Sequence, residues 1–593
     1  MNSYRAPLRD MAFVVKELLG LSHISGLPGF SEATDDLFDA IQEESARFSE
    51  GVLAPLNRSG DLQGAHLADG VVHTAPGFRE AYDQFVAGGW NGLTGPTEFG
   101  GQGLPNLVGA PVEEMWHAAN MAFTLCPLLT RGAVEAILAA GTPELQARFL
   151  PAMVAGRWTG TMNLTEPQAG SDLAALRTRA VPEGDHYRIT GQKIFITYGD
   201  QDFTENIIHL VLARLPDAPP GVKGISLFVV PKFLVNPDGS LGECNDVRTV
   251  SLEHKLGIHG SPTCVLAYGD AGGAVGYLLG KPHCGLELMF IMMNAARFSV
   301  GVQGLAIADR AYQGALAYAR ERIQGVPVGM TERAPILHHP DVRRILSGIK
   351  ARVEACRALA YHAGQMLDCA HAEPDAARRA AAQARSDLLT PIVKGFCTES
   401  GVWAANEAIQ VYGGMGYIEE TGAAQYLRDA RITTIYEGTT AIQANDLVGR
   451  KLLRDGGAMV RALCQEIRET LPVLGEAGVP ASIAAALERA LLASEKASAH
   501  LLSSAASRPA AVFGAGVPYL NLMGWLVSGW LMARSAQVAA RALAAGTAEP
   551  DFYRTKIATA QFYAEHGMGL CEVLCATVVE GGNSLDAMAA ASF

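Results

Sequence analysis

Charge is scarce in this sequence. Asp, Glu, Lys and Arg make up 18% of its 593 residues while hydrophobic types make up 49%, and the acidic excess leaves a formal net charge of −13. So apolar a composition excludes a disordered chain. Nucleic-acid binding would need a local basic face, and no run of Lys or Arg supplies one. Cysteine is thin as well: 10 scattered residues, no CxxC and no Cys/His cluster, with Cys571 and Cys575 at helical spacing in an apolar stretch. That argues against a zinc or other metal site and makes reduced, buried thiols the expectation. Unbroken apolar runs are missing too. Glu17 interrupts Met11–Leu21, and no small-residue cleavage site follows, which argues against a signal peptide. Val517–Ala533 is short for a span and carries Pro, Asn, Gly and Ser, which reads as a buried helix with at most a peripheral membrane contact. The expected compartment is the cytoplasm. Finally, there is no GxxxxGK[ST] loop, no HExxH and no GxSxG.

What is present is a long chain in several textures, too long for one core. Residues 1–34 form an N-terminal extension, and 35–158 read as helices punctuated by the Gly- and Pro-rich loop Gly88–Pro105. Over 159–282, short alternating segments (His186–Thr190, Ile194–Thr197, Ile207–Ala213, Ile225–Val230, Cys264–Tyr268) predict an antiparallel barrel or sandwich. Helical periodicity returns over 283–450, and a further Ala/Leu-rich helical block fills 451–593. The fold class is α+β: an N-terminal helical domain, a central β-barrel, a C-terminal helical bundle and an additional C-terminal helical domain.

Two stretches carry chemistry. Met162–Asp172, MNLTEPQAGSD, combines hydroxyls, a Pro-ordered turn and a Gly that bares backbone amides, which suits the edge of a heteroaromatic ring and a phosphate-bearing tail. It also suits a plain domain-junction turn, in which Glu166 and Asp172 order the loop. Arg428–Asn445, RDARITTIYEGTTAIQAN, sets Glu437 between apolar residues and a small hydroxyl-rich turn. An apolar flank raises a carboxylate's proton affinity, and Gly438 leaves room for close approach, as a general base requires. Taken alone, these residues favour the plainer alternative of a loop carboxylate capping the next helix. Asp429 and Arg431 are expected to pair near this loop. His254, His259, His338 and His339 are expected to make structural hydrogen bonds, and Met289, Met292 and Met293 to be core.

With these motifs in order, the chain resembles the acyl-CoA dehydrogenase family of flavoproteins over roughly residues 35 to 450. MNLTEPQAGSD resembles its flavin-and-substrate signature, IFITYG its flavin-facing strand, and EHKLGIHGSPT (Glu253–Thr263) a late-barrel segment. QVYGGMGY (Gln410–Tyr417) is similar to the stretch that meets flavin adenosine across a subunit interface, and IYEGTTAIQ to the segment bearing the base. The resemblance implies FAD as cofactor. It implies Glu437 as base, with Gly438 touching substrate, Ser171 meeting coenzyme A and Arg297 lying near the substrate's nucleotide end. Thr165 and Thr197 would bond the flavin, with Met162, Leu164, Phe195 and Ile196 lining it. Arg322, Gln410, Gly413, Gly414 and Thr439 would serve its pyrophosphate and adenosine. The pattern departs from the family at Arg322–Gly325 (RIQG), Asn294 and Ala441.

The N-terminal extension and the C-terminal block are similar to the family's longer subgroup, which includes 3-methylmercaptopropionyl-CoA dehydrogenases and bacterial medium- to long-chain acyl-CoA dehydrogenases. The implied reaction is α,β-dehydrogenation of an acyl-CoA to the trans-2-enoyl-CoA, with 3-(methylthio)propanoyl-CoA or a medium- to long-chain acyl-CoA as substrate. Glu437 would take the α-proton and the flavin the β-hydride. An electron-transferring flavoprotein is the implied acceptor and a homodimer the implied assembly. The rival readings are an acyl-CoA oxidase using oxygen, a DNA-binding flavoprotein of the same fold, and a non-enzymatic scaffold; the intact YEG and balanced C-terminal charge weigh against DNA binding.

Overall fold

A computed structural model of the chain describes residues 4–476 and 478–588. Contacts divide it into two compact units that cut across chain order. A helical unit comprises Met1–Ala46, Pro105–Ala118 and Arg297–Phe593, and a barrel unit comprises Arg47–Leu104 and Ala119–Ala296.

In the barrel unit, the strand His186–Thr197 pairs with Ala274–Leu279, which pairs in turn with Ile225–Pro231 and then Asn206–Arg214. The ring closes through Arg179–Glu183, which pairs with His186–Thr197 and meets Arg214. Side chains alternate across these strands and both faces are covered. Along Asn206–Arg214, Ile208, Leu210 and Leu212 join a core with Phe149, Leu150 and Met153 of the helix Pro143–Val154. Val211 and Ala213 face the other way, into a core with Ile189, Phe228 and Leu266. Met289 and Met292 lie in the first of these cores, as expected of apolar residues at helical spacing.

The strand reading needs two corrections. His186–Thr190 and Ile194–Thr197 are one strand, because Gly191, Gln192 and Lys193 also pair, opposite Tyr268, Ala267 and Leu266. Lys193 hid this continuity, since a charged residue between apolar ones reads as a break. The sheet is also not purely antiparallel: Trp158–Asn163 lies parallel to Asn206–Arg214. The long stretch between them, which itself holds two strands, permits the crossover that a parallel pair needs.

The helical unit is built on the adjacent helices Pro340–Ala372 and Ala376–Tyr412. Pro340 starts the first where its missing N–H costs nothing, and the Asp375 carboxylate caps the second by accepting from Arg378 N at 2.8 Å. Val517–Ala533 falls inside the helix Gly516–Ala544 and is largely buried. Phe396 meets Trp525 edge-on at 5.4 Å, and the Arg352 guanidinium lies 3.8 Å over Trp403 and 4.8 Å from Trp525. Among the described residues two helices, Asn106–Ala140 and Gly285–Glu321, are long and apolar enough to cross a membrane, but 83% and 72% of their apolar windows are buried within the protein. Eight of the ten cysteines are buried, Cys571 and Cys575 among them, while Cys284 is half-buried and Cys244 exposed.

The N-terminal extension folds onto the helical unit as short helices, Leu8–Ala12 and Phe13–Leu18. Asp10 bonds Arg357 and Lys556; Lys556 also bonds Glu354 at 2.9 Å, and Arg357 bonds Glu114 at 2.6 Å. Asp10, Glu354, Arg357 and Lys556 border a cavity of about 710 Å³, in whose lining cationic side chains outnumber carboxylates.

Candidate active site

Hydrogen bonding in the barrel unit draws the MNLTEPQAGSD and IFITYG segments together. Ile194 N donates to Thr165 O at 2.9 Å, and Lys193 Nζ donates to Leu164 O at 3.0 Å. Glu166, buried, accepts from Lys193 Nζ (2.9 Å), Arg177 N (2.7 Å), Thr178 N (3.0 Å) and Thr178 Oγ1 (2.6 Å). Burial alone would raise its pKa, but Lys193 and these donors overcome it and hold the carboxyl at about 2. Asp172 caps the following turn by accepting from Ala174 N at 3.0 Å. Both acids order the loop, as the turn chemistry suggested.

This framework presents a surface. Met162, Leu164, Thr165 and Thr197 are half-buried, Ser171 is exposed, and the Phe195 ring is 58% exposed. Phe195 has φ of 59° and Tyr198 of 49°, among only six described non-glycine residues with positive φ. A bulky side chain held left-handed is a strained conformation of the kind found at functional sites. Ile196 departs from its expected lining role: it is 2% exposed and packs into the barrel core. Its neighbours Phe195 and Thr197 are the ones that open outward.

Glu437 stands in the helical unit and is the other left-handed non-glycine residue of interest, with φ of 55° followed by Gly438 at 88°. A Cβ on Gly438 would come within 2.8 Å of Gln443 Nε2 and 3.1 Å of Ile442 Cγ2, so glycine is required there. The helix Thr440–Asp446 is capped by Thr439, whose hydroxyl accepts from Ile442 N, and not by Glu437. That removes the capping alternative and leaves the carboxyl available for chemistry. Burial pushes its pKa up to about 7, against the lowering pull of Arg297 and Lys394.

The scaffold of this turn is specific. Gln443 Nε2 donates to Glu437 O at 3.1 Å and Gly438 O at 3.2 Å, and Lys394 Nζ donates to Gly438 O at 2.7 Å. Tyr436 OH bonds Gln303, and Thr440 Oγ1 bonds Glu399 at 2.6 Å. Arg297 is 3% exposed and bonds Asp446 at 3.3 Å, and Asp446 and Glu437 both counter the lowering of its pKa by burial. So enclosed a guanidinium acts on the base's electrostatics. Arg431 donates to Thr434, not to Asp429 as expected. Arg322, Gln410, Gly413 and Gly414 lie exposed on the helical unit, with Arg322 bonding Gln324 at 3.3 Å. The histidines keep structural roles where partners are seen: His259 bonds backbone at Asp61 and Lys255, and His339 bonds Gln324 O at 2.8 Å.

Sequence reasoning missed Lys394, Gln443 and Gln303. Lys394 had a readable signal, a lone charge inside the apolar run Pro391–Phe396, since a lysine is almost never fully buried without a partner.

Four family models match in chain order: the acyl-CoA dehydrogenase N-terminal domain (38–157), middle domain (161–271) and C-terminal domain (283–452), and an acetyl-CoA dehydrogenase C-terminal-like domain (459–589). The chain belongs to the acyl-CoA dehydrogenase family, whose members are oxidoreductases. It is 48% identical over 587 residues to the 3-methylmercaptopropionyl-CoA dehydrogenase of Ruegeria pomeroyi, covering 98% of this chain and 99% of that one. It is 36% identical over 591 residues, 96% of each chain, to the broad-specificity linear acyl-CoA dehydrogenase FadE5 of Mycobacterium tuberculosis. Its fold matches that of a Bacillus anthracis acyl-CoA dehydrogenase complexed with FAD, with a TM-score of 0.72 at 21% identity, over 97% of this chain and 93% of that one.

Proposed function

We propose that the chain is an FAD-dependent dehydrogenase that removes the α- and β-hydrogens of an acyl-CoA thioester, with Glu437 as the base. The observation that carries the reading is a desolvated carboxyl, free of any capping duty, on a turn held left-handed by buried donors. The residues fit the cofactor: the outward Phe195 ring beside the partly open Thr165, Thr197, Met162 and Leu164 makes an apolar, hydroxyl-edged surface suited to a heteroaromatic ring. Arg322, Gln410, Gly413, Gly414 and Thr439 would serve its pyrophosphate and adenosine. FAD, when bound, supplies the hydride acceptor.

The protein's own part is proton chemistry and positioning. The α-hydrogens of a thioester are weakly acidic, so a base must combine close approach with a proton affinity near that of the activated carbon. Burial supplies the affinity, and Gly438 the approach. The backbone amide of Glu437 is the proposed donor to the thioester oxygen, and removing such a donor typically costs on the order of 10²-fold in rate.

The proposed substrate is 3-(methylthio)propanoyl-CoA, supported by near-full-length likeness to the Ruegeria pomeroyi enzyme, with medium- to long-chain acyl-CoA as the second candidate. The proposed acceptor is an electron-transferring flavoprotein and the proposed assembly a homodimer. Glu437→Gln is expected to keep flavin absorbance and acyl-CoA binding while turnover falls by at least about 10²-fold; near-normal turnover would remove Glu437 as the base. Turnover with oxygen but none with an electron-transferring flavoprotein would make the protein an oxidase.

A further inference from the structure

Lys394 is the most unusual group near the candidate base. Its side chain is 0% exposed and sits in an apolar stretch of the helix Ala376–Tyr412, an expensive place for an ammonium. A lysine is tolerated in such surroundings only where its head has a fixed task, and here the head reaches the carbonyl of Gly438 at 2.7 Å. That carbonyl belongs to the residue following the base, on the left-handed pair Glu437–Gly438, and Gln443 reaches the same oxygen at 3.2 Å. The left-handed region is unfavourable for a non-glycine residue, so the conformation persists only because its surroundings hold it.

We propose that Lys394 is a positioning residue for the base: its head clamps the Gly438 carbonyl, fixing the backbone that presents Glu437 and setting a cation near that carboxyl. The proposal rests on the reading of Glu437 as the base. It is distinct from a mere packing role because the clamp and the charge act on two separable observables, the rate of the step and the pH at which the base becomes available.

The charged groups around this pair come from three elements. Arg297, on the helix Gly285–Glu321, and Lys394 both favour the ionised carboxyl of Glu437, while burial opposes it. Lys394 in turn feels burial first, which pulls its own pKa down to about 7; Glu437 and Glu399 oppose that pull and Arg297 adds to it. Asp446 and Arg450, C-terminal to the turn, act on Arg297, and Tyr436 OH is committed to Gln303. Glu399 also faces Lys394 but accepts from Thr440 Oγ1 at 2.6 Å, so removing Lys394 takes a cation from the base while that carboxylate keeps its partner.

The test compares Lys394→Met, Lys394→Arg, Glu437→Gln and the unaltered holoenzyme, reading kcat and KM for an acyl-CoA across pH, with flavin content and Tm as folding controls. In Lys394→Met, kcat is expected to fall roughly 10- to 100-fold with little change in KM, as for a catalytic group misplaced by a fraction of an ångström. The acid limb of kcat/KM is expected to move up by roughly one unit, because a nearby cation has been lost. Lys394→Arg, which keeps charge and donor, is expected to return the limb toward its original position. An unchanged limb and kcat in a flavin-loaded Lys394→Met overturns the proposal. If Lys394→Met does not retain flavin, Lys394→Gln reads the same limb, and an unmoved limb there overturns it equally. Retained turnover in Glu437→Gln would instead sink the base assignment, so the two failures are distinguishable.

Discussion

Burial holds the Glu437 carboxyl near neutrality, and the sign of the resulting pH dependence follows from its role. A base works only when it has lost its proton, so kcat/KM should be low in acid, rise through about pH 7 and level off above it, as stopped-flow flavin reduction across pH would show. Glu166 has the opposite character. Its pKa is depressed to about 2, so its ion pair with Lys193 favours the fold above about pH 4.5, and that contribution is lost as pH falls toward 2. Burial also lowers Lys193 to about 8, a cost that offsets much of the gain, so the intact pair adds little. Breaking it is another matter: Glu166→Gln would leave a fully enclosed ammonium without its counter-charge, an expected loss of about 3–5 kcal/mol in denaturant unfolding. At this scale the sequence disclosed Glu437 through a motif, and Glu166 through turn chemistry. Gln443 stayed hidden because a backbone acceptor leaves no mark on sequence, and Lys394 showed only as a lone charge in an apolar run because the carbonyl it holds is far along the chain.

Among elements, the helices were readable from periodicity and the strands only in part. Ile207–Ala213 and Ile225–Val230 lie within the observed strands Asn206–Arg214 and Ile225–Pro231 because enclosure on both faces makes them nearly all apolar. Val247–Leu252 and Arg179–Glu183 went unseen because they are mostly exposed and mix charge with apolar residues. The N-terminal extension was visible as an addition but not as an anchor. Its Asp10 would be raised by burial, yet Lys556 and Arg357 overcome this and hold it far below the carboxylate range. The stability it confers is therefore present above its unfolded value near pH 4 and lost as acid reaches the depressed folded value. Asp10→Ala should cost on the order of 3 kcal/mol at neutral pH, since Lys556 keeps only Glu354 while Arg357 still has Glu114 and Asp309. Thermal unfolding at pH 7 against pH 3 checks both points: the gap between variant and parent should narrow in acid.

For the whole molecule, the surface of the helical unit makes the number of copies per active site testable. The helical unit leaves apolar side chains in water on two segments, Ile323–Met330 with Val328 at 83% exposure, and Met415–Ile418 with Tyr417 at 87%. Exposed apolar groups in such number suit an interface between copies. The second segment adjoins Gly413 and Gly414, the turn proposed to serve flavin adenosine, so if copies associate there, self-association and flavin retention should be linked. If the proposed homodimer forms through these segments, Val328→Asp with Tyr417→Asp, which places two charges on them, should give a monomer by analytical ultracentrifugation. If the turn serves a neighbouring copy's cofactor, the monomer should also lose flavin on gel filtration, and dilution of the unaltered protein toward its dissociation constant should release flavin in parallel. A monomeric variant that keeps full flavin would show that each chain holds its cofactor alone. A variant still dimeric would move the interface elsewhere, with the C-terminal helices, already engaged through Trp525 with Phe396 and Arg352, committed to holding the helical unit together.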